Sequence, residues 1–133
     1  MRAYKNRNSY RQVLMISYET EELIVQLSEI MKVRPHYLRN AVVRQAYASR
    51  SVPLSELTRT ISRTYIGCPR TKVEQITFPT KDLLNSIAYE TGIGMGVLLS
   101  VAVIKCTQDY LGRYPSLLPL YNTVYSQCTR GGF

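Results

Sequence analysis

Residues 73–110 repeat residues 13–50 at a constant offset of 60 positions, without a gap. Val13/Val73, Ile16/Ile76, Thr20/Thr80, Leu23/Leu83, Leu38/Leu98 and Val43/Val103 are identical. Tyr18/Phe78, Ser17/Thr77, Glu22/Asp82, Leu27/Ile87 and Val33/Ile93 are close substitutes. A duplication at this scale has to be read before anything else, because it decides the architecture. Each copy reads as a short strand, an amphipathic helix, a break and a second helix. One strand and two helices bury too little surface to stand alone. Two such units solve the problem together, with their strands zipped antiparallel into a ribbon and their four helices interlocked beneath it. The expected fold is therefore mainly α with a two-stranded antiparallel β-ribbon.

Side-chain alternation gives each strand a phase. In the second copy Glu74, Ile76 and Phe78 share one face, and Val73, Gln75 and Thr77 share the other. Transferred to the first copy, this points Leu14, Ile16 and Tyr18 inward and Val13, Met15 and Ser17 outward. Thr20 and Thr80 then read as helix N-caps, with Glu21 and Glu22 in a first turn where the helix dipole favours anions. Leu23, Ile24, Leu27, Ile30 and Met31 make one apolar face of the first helix. Pro35 suits the first position of a second helix running to Ala48, with Leu38, Ala41, Val42 and Ala46 as its stripe and Arg39 and Arg44 off it. Gly92 ends the corresponding first helix of copy two.

The spacing divides the chain into a basic arm (1–12), a first unit (13–50), a basic linker (51–72), a second unit (73–111) and a C-terminal tail (112–133). Both units belong to one globular domain. Leu54, Leu57 and Ile61 predict a short amphipathic turn inside the linker. From Val97 to Cys106 the last helix has almost no polar face, so its second side needs a cover. The tail, with Tyr114, Leu117, Leu118, Leu120, Tyr121 and Tyr125, is one candidate, and another chain is the alternative.

The net charge of +8 is unevenly placed. Residues 1–12 carry +4 and residues 50–72 carry +4, whereas residues 13–49 balance. Positive charge thus gathers just upstream of each strand, in both copies. Such clustering favours a polyanionic partner, most simply nucleic acid. No window is long and apolar enough for a membrane span. No apolar run follows the basic N-terminus, and the three cysteines lack metal-ligand spacing. A cytoplasmic protein with reduced thiols is expected.

Catalytic constellations are not evident. His36 is the single histidine, and a place near a helix start suits a surface or capping role. No cysteine or second histidine sits at ligand spacing. Gly92-Ile93-Gly94-Met95-Gly96 falls between two helices and lacks the lysine of a phosphate loop. No nucleophile–base pair can be named, so neither enzyme nor cofactor is expected.

The strand, Pro79, Leu83, Gly92, Leu98 and Ala102 resemble the ribbon-helix-helix family of Arc, MetJ and CopG-type repressors. Its usual pattern is strand–P-x-x-x-L–helix–G-x-S-x-S-x-L–helix. The resemblance covers about 75 residues in two blocks. Gly94 and Gly96 stand where the family favours serine, as do Arg34 and His36 in copy one, and Glu19 replaces the proline. A single chain holding both units, ending in Asp109-Tyr110-Leu111-Gly112-Arg113-Tyr114-Pro115, resembles the TraY relaxosome accessory proteins of F-like conjugative plasmids.

The resemblance implies an intramolecular pseudo-dimer whose ribbon reads the major groove of double-stranded DNA. Carried over, the base-contacting positions are Arg11, Met15, Ser17, Val73, Gln75 and Thr77, with Val13 on the same face. Lys5, Arg7, Arg34, His36, Arg70, Lys72 and the backbone of Gly96 are the implied phosphate contacts. Gln75 suits adenine, Arg11 guanine, and Val13 and Met15 thymine methyl groups. The unlike ribbon halves imply a target that is not a perfect palindrome. Relaxase or other relaxosome proteins are the implied partners, with several copies assembling along DNA. The competing class is a protein-interaction module, antitoxin-like or a phage inhibitor, favoured by the apolar pair Val13/Met15 and the apolar last helix.

Overall fold

A computed structural model of the chain describes residues 12–49 and 51–129, with the side chains of Gln12, Glu74 and Gln75 outside that description. Among the described residues the order is β1 (Gln12–Ser17), α1 (Tyr18–Met31), α2 (Pro35–Val43), α3 (Leu54–Thr60), β2 (Arg70–Ile76), α4 (Phe78–Thr91), α5 (Met95–Gln108) and α6 (Leu118–Cys128). A π-helical turn, Arg44–Ala48, prolongs α2, and a 3₁₀ turn, Pro115–Leu117, leads into α6. The protein is mainly helical with one two-stranded antiparallel sheet, β1 against β2.

The duplication holds to the residue. Helix α1 and helix α4 start and stop at the same offset of 60, and α2 with its π turn spans the same positions as α5. Both first helices start directly after a hydroxyl residue, Ser17 at the end of β1 and Thr77 just past β2. Ser17 Oγ accepts from Thr20 N–H at 3.1 Å, and Thr77 Oγ1 accepts from Thr80 N–H at 3.3 Å. Each bond satisfies an amide that has no partner within the helix. The N-caps are therefore Ser17 and Thr77, three residues ahead of the expected Thr20 and Thr80, which are buried in the first turn. Both helices end on a left-handed residue: Lys32 at φ 60° and Gly92 at φ 76°. Glycine takes that conformation without a Cβ penalty, whereas lysine tolerates it at some cost.

The strands pair with a fault. Leu14 faces Val73, Met15 faces Lys72, Ile16 faces Thr71 and Ser17 faces Arg70, but Gln12 faces Ile76. Two steps on β1 therefore span three on β2, so β2 carries one extra residue between Val73 and Ile76. Such a bulge reverses the alternation on one side of itself. Val73 and Ile76, three apart, both point into the core, at 6% and 0% exposure. The expected outward place of Val73 is thus corrected. The inward places of Tyr18 and Phe78 are corrected too: each opens a helix, and they are 54% and 47% exposed. Ser17, expected outward, is fully buried because capping α1 turns it into the fold.

Leu14 and Ile16 line the underside of the ribbon with Leu23, Leu27, Leu38, Leu84 and Leu98. Residues Val97 to Ile104 of α5 are all buried. On one side α5 meets α2, and on the other it meets α6, which also lies against α1. The tail is the cover: Leu117, Val124 and Cys128 are buried and Leu120 and Tyr121 pack half-buried against the core, whereas Tyr114, Leu118 and Tyr125 stay exposed. Helix α3 packs on α4 as α6 packs on α1. The linker and the tail thus each add a helix that lies on the first helix of a unit, α3 on that of unit two and α6 on that of unit one. The residues after α3 and α6, Ile61 and Thr129, meet in a single β-bridge. Arg39, expected off the apolar stripe, is buried, and its Nη1 donates to both carboxylate oxygens of Glu21 at 2.8 and 3.0 Å.

Candidate nucleic-acid interface

Residues opposite one another in an antiparallel pair share a face and sit about 4.5–5.5 Å apart. The register therefore puts Met15 with Lys72 on the side of the ribbon away from the core, and alternation along β2 puts Arg70 on the same face as Lys72, opposite the buried Ser17. Met15 is 45% exposed, and Lys72 and Arg70 are both exposed. Val13, on the same face, is half-buried. Two cations and a thioether thus form the described part of this face. Arg70 and Lys72 had been expected beside the ribbon, and the bulge brings them onto it in place of Val73. Neither of them forms an ion pair among the described residues.

Ser17 and Thr77 contribute no free hydroxyl to that face. Thr77 is half-buried, and both its N–H and its Oγ1 donate to Asn40 Oδ1, at 3.0 and 3.1 Å. Asn40 lies on α2, so this tie joins the two units. At the matching place in the other unit, Ser100 Oγ on α5 shares a hydrogen bond of 2.7 Å with Thr20 Oγ1. Thr20 Oγ1 in turn lies 2.7 Å from Ser17 Oγ, and Tyr65 OH lies 2.5 Å from Ser100 Oγ. Positions 40 and 100, like 17 and 77, are equivalent by the 60-residue offset. Lys5, Arg7 and Arg11 lie outside the described residues, as does the side chain of Gln75.

The second helices start differently. At α2, Arg34 is an exposed N-cap residue without a side-chain cap, Pro35 follows, His36 is half-buried and Tyr37 is exposed. At α5 the linker meets the start, with Gly94 exposed and Met95 and Gly96 half-buried. Gly94 N–H donates to Arg63 O at 2.8 Å, and Tyr65 OH donates to Gly96 O at 2.8 Å. A methyl group at Gly96 would sit 2.1 Å from the Met15 carbonyl oxygen. Glycine is needed here because β1 passes directly over the helix. The expected phosphate contact at Gly96 therefore lies under β1 and Tyr65.

Burial shapes the titration of the groups beneath. Burial, with the nearby Cys128 adding to it, pushes the Tyr47 hydroxyl far above its usual range. Burial does the same to Tyr65, partly offset by its bond to Ser100. The Cys128 thiol is pushed up to about 12, again chiefly by burial. All three are neutral and act as packing or hydrogen-bonding groups.

Sequence reasoning missed Asn40, Tyr65 and Arg63. Asn40 and Tyr65 had no periodic signal, since each acts through a contact with a distant segment. Arg63 was visible only as one more charge in the linker. No protein-family model, curated protein or solved structure matches the chain. No single helix among the described residues is long and apolar enough to cross a membrane.

Proposed function

We propose that the chain is a sequence-specific double-stranded DNA-binding protein of the tandem ribbon-helix-helix type. It binds as an intramolecular pseudo-dimer and enters the major groove with its β-ribbon. Its role is accessory or regulatory, at a transfer origin or a promoter of a conjugative plasmid or other mobile element. The observation that carries this reading is the outward face of β1 and β2, with Met15 in register with Lys72 and Arg70 beside it. A two-stranded ribbon fits the major groove in width, and Lys and Arg suit guanine edges or phosphates there. Met15 offers an apolar contact to a thymine methyl group. Support also comes from the offset of 60 shared by both units and from their reciprocal ties, Asn40 to Thr77 and Ser100 to Thr20.

The test is selection of duplexes from a random pool, followed by binding of the selected duplex across a salt series. Affinity falls steeply with salt if several phosphates are neutralised. Replacing both Arg70 and Lys72 by Ala weakens binding at least about tenfold. Wild-type binding by that double variant removes the ribbon as the reading face.

A second reading, a protein-interaction module on the same scaffold, has one observation of its own. Met15, Tyr18 and Phe78 are large apolar side chains left exposed on and beside the ribbon. Failure to enrich any duplex, together with weak and salt-insensitive binding to the pool, favours that reading.

A further inference from the structure

The linker between the units does more than connect them. Residues 62–66 run against the end of α6: Ser62 N–H donates to Cys128 O at 2.7 Å and Ile66 N–H donates to Gln127 O at 3.0 Å. From that anchored stretch Arg63 and Tyr65 reach over the start of α5. The Arg63 carbonyl takes the Gly94 N–H, and its guanidinium carbon lies 3.6 Å from where a methyl group on Gly92 would be. Arg63 is exposed and forms no ion pair among the described residues. Its position relative to the ribbon is constrained. Its guanidinium lies by Gly92, four residues from Gly96, which abuts the Met15 backbone, a span of at most about 14 Å. A groove about 12 Å wide that holds a ribbon has its phosphates within that reach of the strands.

Resting on the DNA-binding reading above, we infer that Arg63 of the linker is the phosphate-contacting residue on the α5 side of the ribbon. It takes the place that Arg34 holds on the α2 side. Unit two has no side chain of its own for this: Gly94, Met95 and Gly96 occupy the positions of Arg34, Pro35 and His36. The linker supplies the missing charge from outside the repeat. The ligand is the sugar-phosphate backbone of duplex DNA, so the contribution is independent of sequence.

There is a competing structural role, since a cation near Gly92 also suits the negative end of α4. Two variants separate the roles in the full-length chain: Arg63→Ala, and Arg63→Gln, which keeps the stem over Gly92 without the charge. Both are measured against a selected duplex and a random duplex from 50 to 200 mM salt, with thermal melting alongside. The contact predicts that Arg63→Gln weakens binding to both duplexes by about the same factor, roughly three- to tenfold. It also predicts a salt slope reduced by about one, with the melting temperature held within about 2 °C of wild type. Arg63→Ala shows the same loss of slope. Arg63→Gln with wild-type affinity and slope, while Arg70→Ala/Lys72→Ala loses binding, overturns the inference and leaves the DNA reading standing. A lowered melting temperature with an unchanged slope overturns it in favour of the helix-end role. A wild-type chain that binds neither duplex removes the DNA reading and this contact with it.

Discussion

The two units share cap positions and helix lengths, yet their second helices start with different residues and different neighbours. Unit one opens α2 with Arg34, Pro35 and His36, half or fully exposed. Unit two opens α5 with an exposed Gly94 and half-buried Met95 and Gly96, which meet the linker and β1 through their backbones. The caps and leucines that build the core have been kept in both copies, whereas the positions around the entry to the second helix have diverged. The difference teaches that duplication supplies a symmetric frame and that the segment joining the copies breaks the symmetry. Residues 62–66 correspond by the 60-residue offset to residues 2–6, outside the described residues, and Gly94 and Gly96 leave them room beside α5.

The sharpest way to break the comparison is at its most unequal pair. Gly96→Ala puts a methyl group into the Met15 carbonyl, so β1 or α5 has to move. A loss of roughly 3 kcal/mol or more is expected in chemical denaturation, against less than about 1 kcal/mol for His36→Ala. Equal effects would mean that the two helix starts are alike after all. Next come the ties between units. Asn40→Ala strips the Thr77 N–H of its acceptor and costs about 1–3 kcal/mol. Ser100→Ala costs less, about 1 kcal/mol, because Thr20 and Tyr65 keep other partners. If Ser100→Ala proves the costlier, the hydroxyl chain of unit two matters more than its partners suggest.

Much of this frame was legible in the sequence, for physical reasons that particular residues show. Leu14, Ile16, Leu38 and Leu98 lie where periodicity put them, since burial is set by the repeat of side chains along each element. The bulge was not legible: Glu74-Gln75 carries no glycine or other mark of an extra residue, and alternation assumes there is none. The caps were read three residues late because Thr20 and Thr80, identical and buried, looked as suitable as Ser17 and Thr77. Arg39 was placed off the apolar stripe, with no sign of its burial, because Glu21, its partner, is brought to it only by the turn between α1 and α2. As for the interface, Met15, Arg70 and Lys72 were named and are exposed near one another, while Val73 and Ser17 were lost to the core.

A smaller effect sharpens the comparison from below. Cys128 and Tyr65 both lie beside Ser100 of α5, and burial raises both above their ordinary values. A group whose pKa is higher in the folded state keeps its contribution below the unfolded value and loses it as pH rises through the folded one. For Cys128 that window runs from 9.0 to about 12. Stability is therefore flat from neutral pH to about 9 and falls above it, by on the order of 1 kcal/mol in the first unit. Denaturation midpoints at successive pH values test this, and a midpoint that climbs between pH 9 and 10 contradicts it.

Strand β1 is separated from β2 by the whole of unit one and the linker, which has a consequence during synthesis. At roughly 5–20 residues per second, β1 leaves the ribosome about 3–12 s before its pairing strand exists. For that interval Ile16 and Leu14 have a strand edge without a neighbour. Helix α1 waits longer still, because α6, which covers it, is made after β2, α4 and α5. An early stretch of the nascent chain is thus completed by a later one.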